Sequence, residues 1–305
     1  MRSDTKHPGT GAREIGPLAA LLLAIVAAAS CGPARQDRIV VGSKNFTEQA
    51  VLGEIIAQHI AASTGLAVER RFYLAGTYIC QQAILAGRID VYPEYTGTAL
   101  TAILKLPASG DAAAVYGRVR TDYAQRFSLL VAPPLGFNNT FALVIRGDDA
   151  RRGIKTISQA AAHTAGWRPG FGYEFMERPD GYQGLVKAYG LKFGAEPRIM
   201  DLGLLYKALT SRQVDLVAGN STDGLISALG LAVLDDDRHY FPPYQAVPVL
   251  RAETARRHPE VLKALEELAN KISAEDMQRM NYAVDGKHED AREVAGEFLK
   301  SHGLQ

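Results

Sequence analysis

The chain has 305 residues, 47% of them hydrophobic and 22% charged, with a formal net charge of +1. That balance is ordinary for soluble globular proteins and offers no concentrated basic surface for nucleic acid. The length allows about two domains of the usual size.

Residues 1–30 read as an export signal, because Arg2, Lys6 and Arg13 are basic and Leu18 to Ala29 is an unbroken apolar run too short for comfortable membrane spanning. The run ends at Ala28-Ala29-Ser30-Cys31. Small residues before a cysteine resemble a bacterial lipoprotein cleavage site, which implies that Cys31 becomes the lipidated first residue; ordinary secretory cleavage nearby is the alternative. Removing this segment takes away three basic and two acidic residues and leaves 31 of each sign. No later apolar stretch is long enough for a membrane helix, so a lipid anchor is the membrane attachment the sequence supports. Only Cys80 then remains, which rules out a disulfide framework and reads as a small buried hydrophobe in a helix closed by Gly87.

Beyond the signal, short apolar strands alternate with helices, the pattern of an α/β protein with a largely parallel sheet covered on both faces. Arg38 to Gly42 reads as the first strand, and Thr47 to Ser63 as a helix with Val51, Leu52, Ile55, Ile56 and Ile60 on one face, ended near Gly65. A strand from Leu66 to Leu74, the Cys80 helix and a third strand from Arg88 to Tyr92 follow. Ala112 to Phe127 reads as a helix, Leu129 to Ala132 as a short strand and Asn138 to Ile145 as a strand crossing into a second lobe. There, helices are expected around Ile157 to His163, Tyr182 to Tyr189 and Leu204 to Arg212, with strands at Arg198 to Leu202 and Val214 to Ala218. Tyr240 to Val249 reads as the return segment, and three helices finish the chain, the first with Pro259 at its start. Two crossings without a flexible linker place one lobe at 37–137 plus 246–305 and the other at 138–245, joined by a two-segment hinge.

Two motifs carry the function: Gly42-Ser43-Lys44-Asn45-Phe46-Thr47-Glu48-Gln49 and Tyr92-Pro93-Glu94-Tyr95-Thr96-Gly97-Thr98. Each puts polar or aromatic side chains where a strand gives way to a loop, which is where open α/β sheets bind ligands. The pair resembles the quaternary-amine-binding proteins of osmoprotectant ABC importers, which capture glycine betaine, choline or carnitine. The resemblance implies the type II periplasmic-binding-protein fold, no catalysis, no cofactor or metal, and delivery of the ligand to a membrane permease and its ATPase.

The ligand's chemistry sets the demands on the site. A trimethylammonium group is charged but has no N–H to donate, so aromatic faces must hold it. The positions matching the family's cage are Tyr95, Phe141 and Tyr244, with Tyr206 a fourth candidate that reads equally as helix packing. Phe141 also reads as strand core, and Tyr244 as a brace after Pro242-Pro243. Gln49, Thr98 and Asn139 carry donors for a carboxylate, Gln49 near a helix N-terminus; local turn bonding is the alternative for Thr98 and Asn139. Asn220 stands where many relatives carry an aromatic, so the cage is one wall short or offers a polar contact instead.

A second reading is a binding protein for another small zwitterion such as an amino acid, whose ammonium would want Glu94 or Asp223 as partner. An enzyme is the third, but the chain has no phosphate-loop, dinucleotide, His-Glu-x-x-His or Gly-x-Ser-x-Gly motif, and its seven histidines are scattered.

Overall fold

The computed structural model describes residues 38–305, so the signal segment and Cys31 lie outside the described residues. Two five-stranded sheets organise the fold. The strands, in chain order, are β1 (Arg38–Gly42), β2 (Ala67–Arg71), β3 (Val91–Tyr95), β4 (Leu129–Val131), β5 (Phe141–Arg146), β6 (Pro169–Phe171), β7 (Arg198–Ile199), β8 (Leu216–Asn220), β9 (Leu231–Leu234) and β10 (Ala246–Arg251). The first sheet has the order β2-β1-β3-β10-β4 and the second β7-β6-β8-β5-β9.

Both sheets are mixed rather than largely parallel. β1 and β3 run parallel, as do β6 and its neighbours β7 and β8, but β10 is antiparallel to β3 and β4, and β5 is antiparallel to β8 and β9. The reason is the pair of crossings: each inserts a strand of opposite direction into the interior of the sheet it enters.

Strand β1 shows why the first sheet is buried on both faces. Successive side chains point to opposite sides, so Ile39 and Val41 join Val51, Leu52, Ile55 and Ile56 of the Thr47–Thr64 helix, while Val40 joins Ile84, Val119 and Tyr123 beneath the other face. The long helix ends at Gly65, whose φ of 72° suits a residue without a Cβ. It is clamped from outside by the helices Pro259–Glu267, Ala274–Asp285 and Ala291–Ser301. His59 ties the chain's end to that packing, its Nδ1 lying 2.7 Å from the Leu304 carbonyl.

Several boundaries differ from expectation. The third strand begins at Val91 rather than Arg88 and reaches Tyr95, because Ile89 and Asp90 still belong to the turn after the Thr77–Leu85 helix. The crossing strand opens at Phe141; Asn138 makes only an isolated bridge to Gln245. The returning strand is Ala246–Arg251, and β6 and β9, of three and four residues, are too short for a clear pattern and were not anticipated. Cys80 is fully buried with its thiol pushed up to about 12 by burial, as an unreactive core residue requires. No described helix is long and apolar enough to cross a membrane.

Candidate ligand-binding site

The ends of β3, β5, β8 and β10 meet around a cavity of about 300 Å³. Register brings them together: Tyr95 pairs with Ala246 across β3 and β10, and Phe141 pairs with Asn220 across β5 and β8. The wall therefore takes residues from both sheets, in the crevice position expected of open α/β sheets.

Tyr95, Phe141 and Tyr244 all line this cavity, with Phe46, Tyr173 and Phe175 beside them. Tyr95 is held by its hydroxyl, which donates to Glu48 Oε1 at 2.6 Å, and its ring stacks on Phe46 at 6.4 Å. The Tyr244 hydroxyl donates to Asp180 Oδ2 at 2.6 Å, and its ring meets Phe141 edge-on at 5.8 Å. That ring fits only because residue 97 is glycine: a Cβ there would lie 2.6 Å from Tyr244 Cδ1 and 2.8 Å from the Pro243 carbonyl oxygen.

Two cations share the wall. Lys44 Nζ forms a buried ion pair with Glu94 and lies 5.2 Å from the Tyr95 ring centre. Arg178 donates through Nε to Asp180 Oδ1 at 2.9 Å, through Nη2 to Asp180 Oδ2, and through Nη1 to Thr98 Oγ1 at 2.9 Å. Burial opposes charge on both partners, but their mutual attraction overcomes it: Arg178 is raised above its usual range and Asp180 lowered below its own.

Thr98, Asn139 and Asn220 also line the cavity. Thr98 accepts from Arg178, and Asn139 Nδ2 donates to Glu48 Oε1 at 2.8 Å. Gln49 and Tyr206 are not part of the wall. Gln49 is fully buried and its Oε1 accepts the Lys44 backbone N–H at 3.2 Å, so it shapes the loop from below. Tyr206 lies behind Gly219, where a Cβ would sit 2.0 Å from its hydroxyl, and donates to Asp223 Oδ2 at 2.5 Å.

Lys44 and Arg178 are the cavity-lining cations the sequence reading passed over. Lys44 lay inside a quoted motif without an assigned role. Arg178 stands in Phe175-Met176-Glu177-Arg178-Pro179-Asp180, where opposite charges flank a proline after an aromatic, the one local signal that could have raised it.

The two carboxylates put forward for an amino-acid ammonium, Glu94 and Asp223, are engaged elsewhere. Glu94 is fully buried, tied to Lys44 and to the Tyr95 N–H at 2.7 Å. Asp223 accepts from Tyr206 and from the Asn220 N–H at 2.9 Å. Neither lines the cavity. What the wall offers a ligand is ring faces, guanidinium and ammonium donors, and the carboxylates of Glu174 and Asp201, which accept from Thr77 and from the Gly203 N–H.

Two mixed α/β sheets with a cavity walled by both are the architecture of periplasmic binding proteins. A crystal structure described as a glycine betaine/carnitine/choline ABC transporter superposes with a TM-score of 0.73 at 33% identity, covering 87% of this chain and 99% of that one. The carnitine transport binding protein OpuCC of Listeria monocytogenes is 35% identical over 89% of each chain. The ergothioneine transport permease/ergothioneine binding protein EgtU of Helicobacter pylori is 37% identical over 87% of this chain, which spans only 48% of that longer protein. Residues 37–301 match the family model described as the substrate-binding domain of ABC-type glycine betaine transport systems. The chain belongs to that family, whose members are extracytoplasmic binding proteins working with a permease and an ATPase, and not enzymes.

Proposed function

We propose that the protein captures a quaternary-ammonium osmoprotectant, such as glycine betaine, carnitine or choline, in the cavity bounded by Tyr95, Phe141 and Tyr244. The observation that carries this reading is that these rings share one wall with Lys44 and Arg178. A methylated cation gains roughly 0.5–2 kcal/mol per ring face, more as the site dries. A carboxylate at its other end would meet Arg178, where three of the five N–H groups are used by Asp180 and Thr98 and two are left among the described contacts. Thr98 and Asn139 belong to the polar part of the same wall, and Asn220 to the place of a missing ring.

Calorimetric titration with glycine betaine, choline, carnitine and free amino acids tests this. Heat of binding for the methylated compounds alone is expected; retention of none at millimolar concentration overturns it.

The lobes proposed are 37–137 with 246–305, and 138–245, closing on the ligand by a hinge at the two crossings. A ligand-dependent fall in the solution radius of gyration is expected, and an unchanged radius argues against it. For the anchor, the sequence around Cys31 supports lipidation after removal of residues 1–30. Replacing Cys31 by serine should release the protein from the membrane fraction.

A further inference from the structure

Glu48 stands in the first turn of the Thr47–Thr64 helix, 1% exposed and outside the cavity surface. Its carboxylate accepts four hydrogen bonds. Oε1 takes the Tyr95 hydroxyl at 2.6 Å and Asn139 Nδ2 at 2.8 Å, and Oε2 takes the Thr222 hydroxyl and Asn281 Nδ2 at 3.1 Å. These donors come from the end of β3, the crossing before β5, the loop after β8 and the Ala274–Asp285 helix. Two of the four, Tyr95 and Asn139, form part of the cavity wall.

A helix packing against a core does not need an acid at this position, and an apolar side chain would avoid the expense of burying one. Burial raises the Glu48 pKa, and the four hydrogen bonds act against that rise. A group with two oxygens and acceptor capacity only is what four converging donors require. The orientation of the Asn139 amide follows from it: with the NH₂ turned to Glu48, the Oδ1 faces away and has no partner among the described residues.

We propose that Glu48 is a positioning residue for the methylated-cation site described above. Its carboxylate fixes the plane of the Tyr95 ring and the sense of the Asn139 amide, and its bond from Thr222 makes that alignment depend on the second sheet being in place. The role presupposes the ligand reading, and the test separates the two.

Glu48→Gln keeps the size and puts an NH₂ opposite donors; the Tyr95 and Thr222 hydroxyls can turn, but an Asn amide can answer only by flipping. Glycine betaine titrated into this variant should bind at least about tenfold more weakly than into the wild type. Tyr95→Phe leaves the ring face and removes only its tether, so the Glu48→Gln/Tyr95→Phe double variant should bind no more weakly than Glu48→Gln alone. A purely structural Glu48 would lower thermal stability without this dependence on the Tyr95 hydroxyl. Wild-type affinity in Glu48→Gln, or losses that multiply in the double variant, overturn the proposal. Crystal structures of the wild type and Glu48→Gln give a ligand-free measure: a rotated Tyr95 ring, or an Asn139 amide whose hydrogen-bond partners require the flipped assignment, supports it, and a coincident ring with unchanged amide partners overturns it. If the wild type binds no methylated ammonium compound, the ligand reading falls and these ring and amide positions alone decide the role of Glu48.

Discussion

The Arg178 guanidinium lies 4.8 Å from the centre of the Phe141 ring, and 5.7 Å from that of Tyr244. A cation of the protein therefore already rests against two of the rings proposed to receive a cation of the ligand. Its charge is balanced by Asp180, so an incoming methylammonium meets a neutralised pair and not a bare positive group.

Arg178→Ala should harm zwitterions more than choline. Glycine betaine has a carboxylate to lose contact with, and a hydrogen bond to a charged group contributes about 1.5–3 kcal/mol. The variant also leaves Asp180 buried and unpaired, which lowers folding stability by about 3–5 kcal/mol. Parallel titrations with the two ligands and urea unfolding measure both effects; equal losses for the two ligands would take Arg178 away from the carboxylate.

Tyr244 can be dissected with two variants. Tyr244→Ala should weaken a trimethylated ligand by about 1–2 kcal/mol. Tyr244→Phe keeps the face and gives up only the bond to Asp180, a loss of about 1.5–3 kcal/mol that falls on folding stability while the ring face stays available to the ligand. Calorimetry should rank them in that order, and unchanged affinity in Tyr244→Ala would remove this ring from the cage.

Introducing an aromatic opposite Phe141 should tighten binding. Asn220→Tyr adds a ring next to the Phe141 strand position, with an expected gain of about 0.5–2 kcal/mol for glycine betaine. No gain would mean that residue 220 serves a polar contact.

Gly97→Ala forces a Cβ against Tyr244 and the Pro243 backbone. Overpacking of this kind costs about 1–3 kcal/mol, and because the displaced group is a cavity ring, both the unfolding free energy and the ligand affinity should fall together. A loss in neither measurement would show that the Tyr244 side of the wall can yield.

Asp223 gives a pH signature. Burial pushes its carboxyl up to about 6 from an ordinary 3.8, against the bonds from Tyr206 and the Asn220 N–H. The folded state thus holds the proton more tightly than the unfolded chain. Its contribution is fully present below about pH 4 and is lost as the pH rises through about 6, worth up to about 3 kcal/mol. Asp223→Asn should flatten that part of the stability profile in urea unfolding at a series of pH values, and an unchanged slope would assign it to another group.

Where local pattern and tertiary packing agree, the elements were legible in the sequence. Strand β1 and the helices Ala112–Phe127 and Tyr182–Tyr189 appear with the expected limits, because a dense apolar run or a clear helical period with a capping Asp111 or a closing Gly190 leaves little choice. Strand direction was not legible: nothing local in Ala246–Arg251 says that it enters between β3 and β4. In the site, the three rings came from the resemblance to the quaternary-amine family, and the chemistry of a methylated cation gave only the reason for rings. Arg178 came from neither, since a lone arginine beside a proline looks like surface until Asp180, Thr98 and Phe141 are seen around it. Gln49 and Tyr206 were misplaced for the opposite reason: their side chains point to a loop amide and to Asp223, neither of which spacing can reveal.

The position of β10 governs how the chain can be made. Because this strand joins β3 to β4, a nascent polypeptide emerging from the ribosome cannot complete its first sheet until Arg251 has been synthesised. The two sheets therefore become complete in the reverse of chain order, the second having all five of its strands before the first has β10 in place.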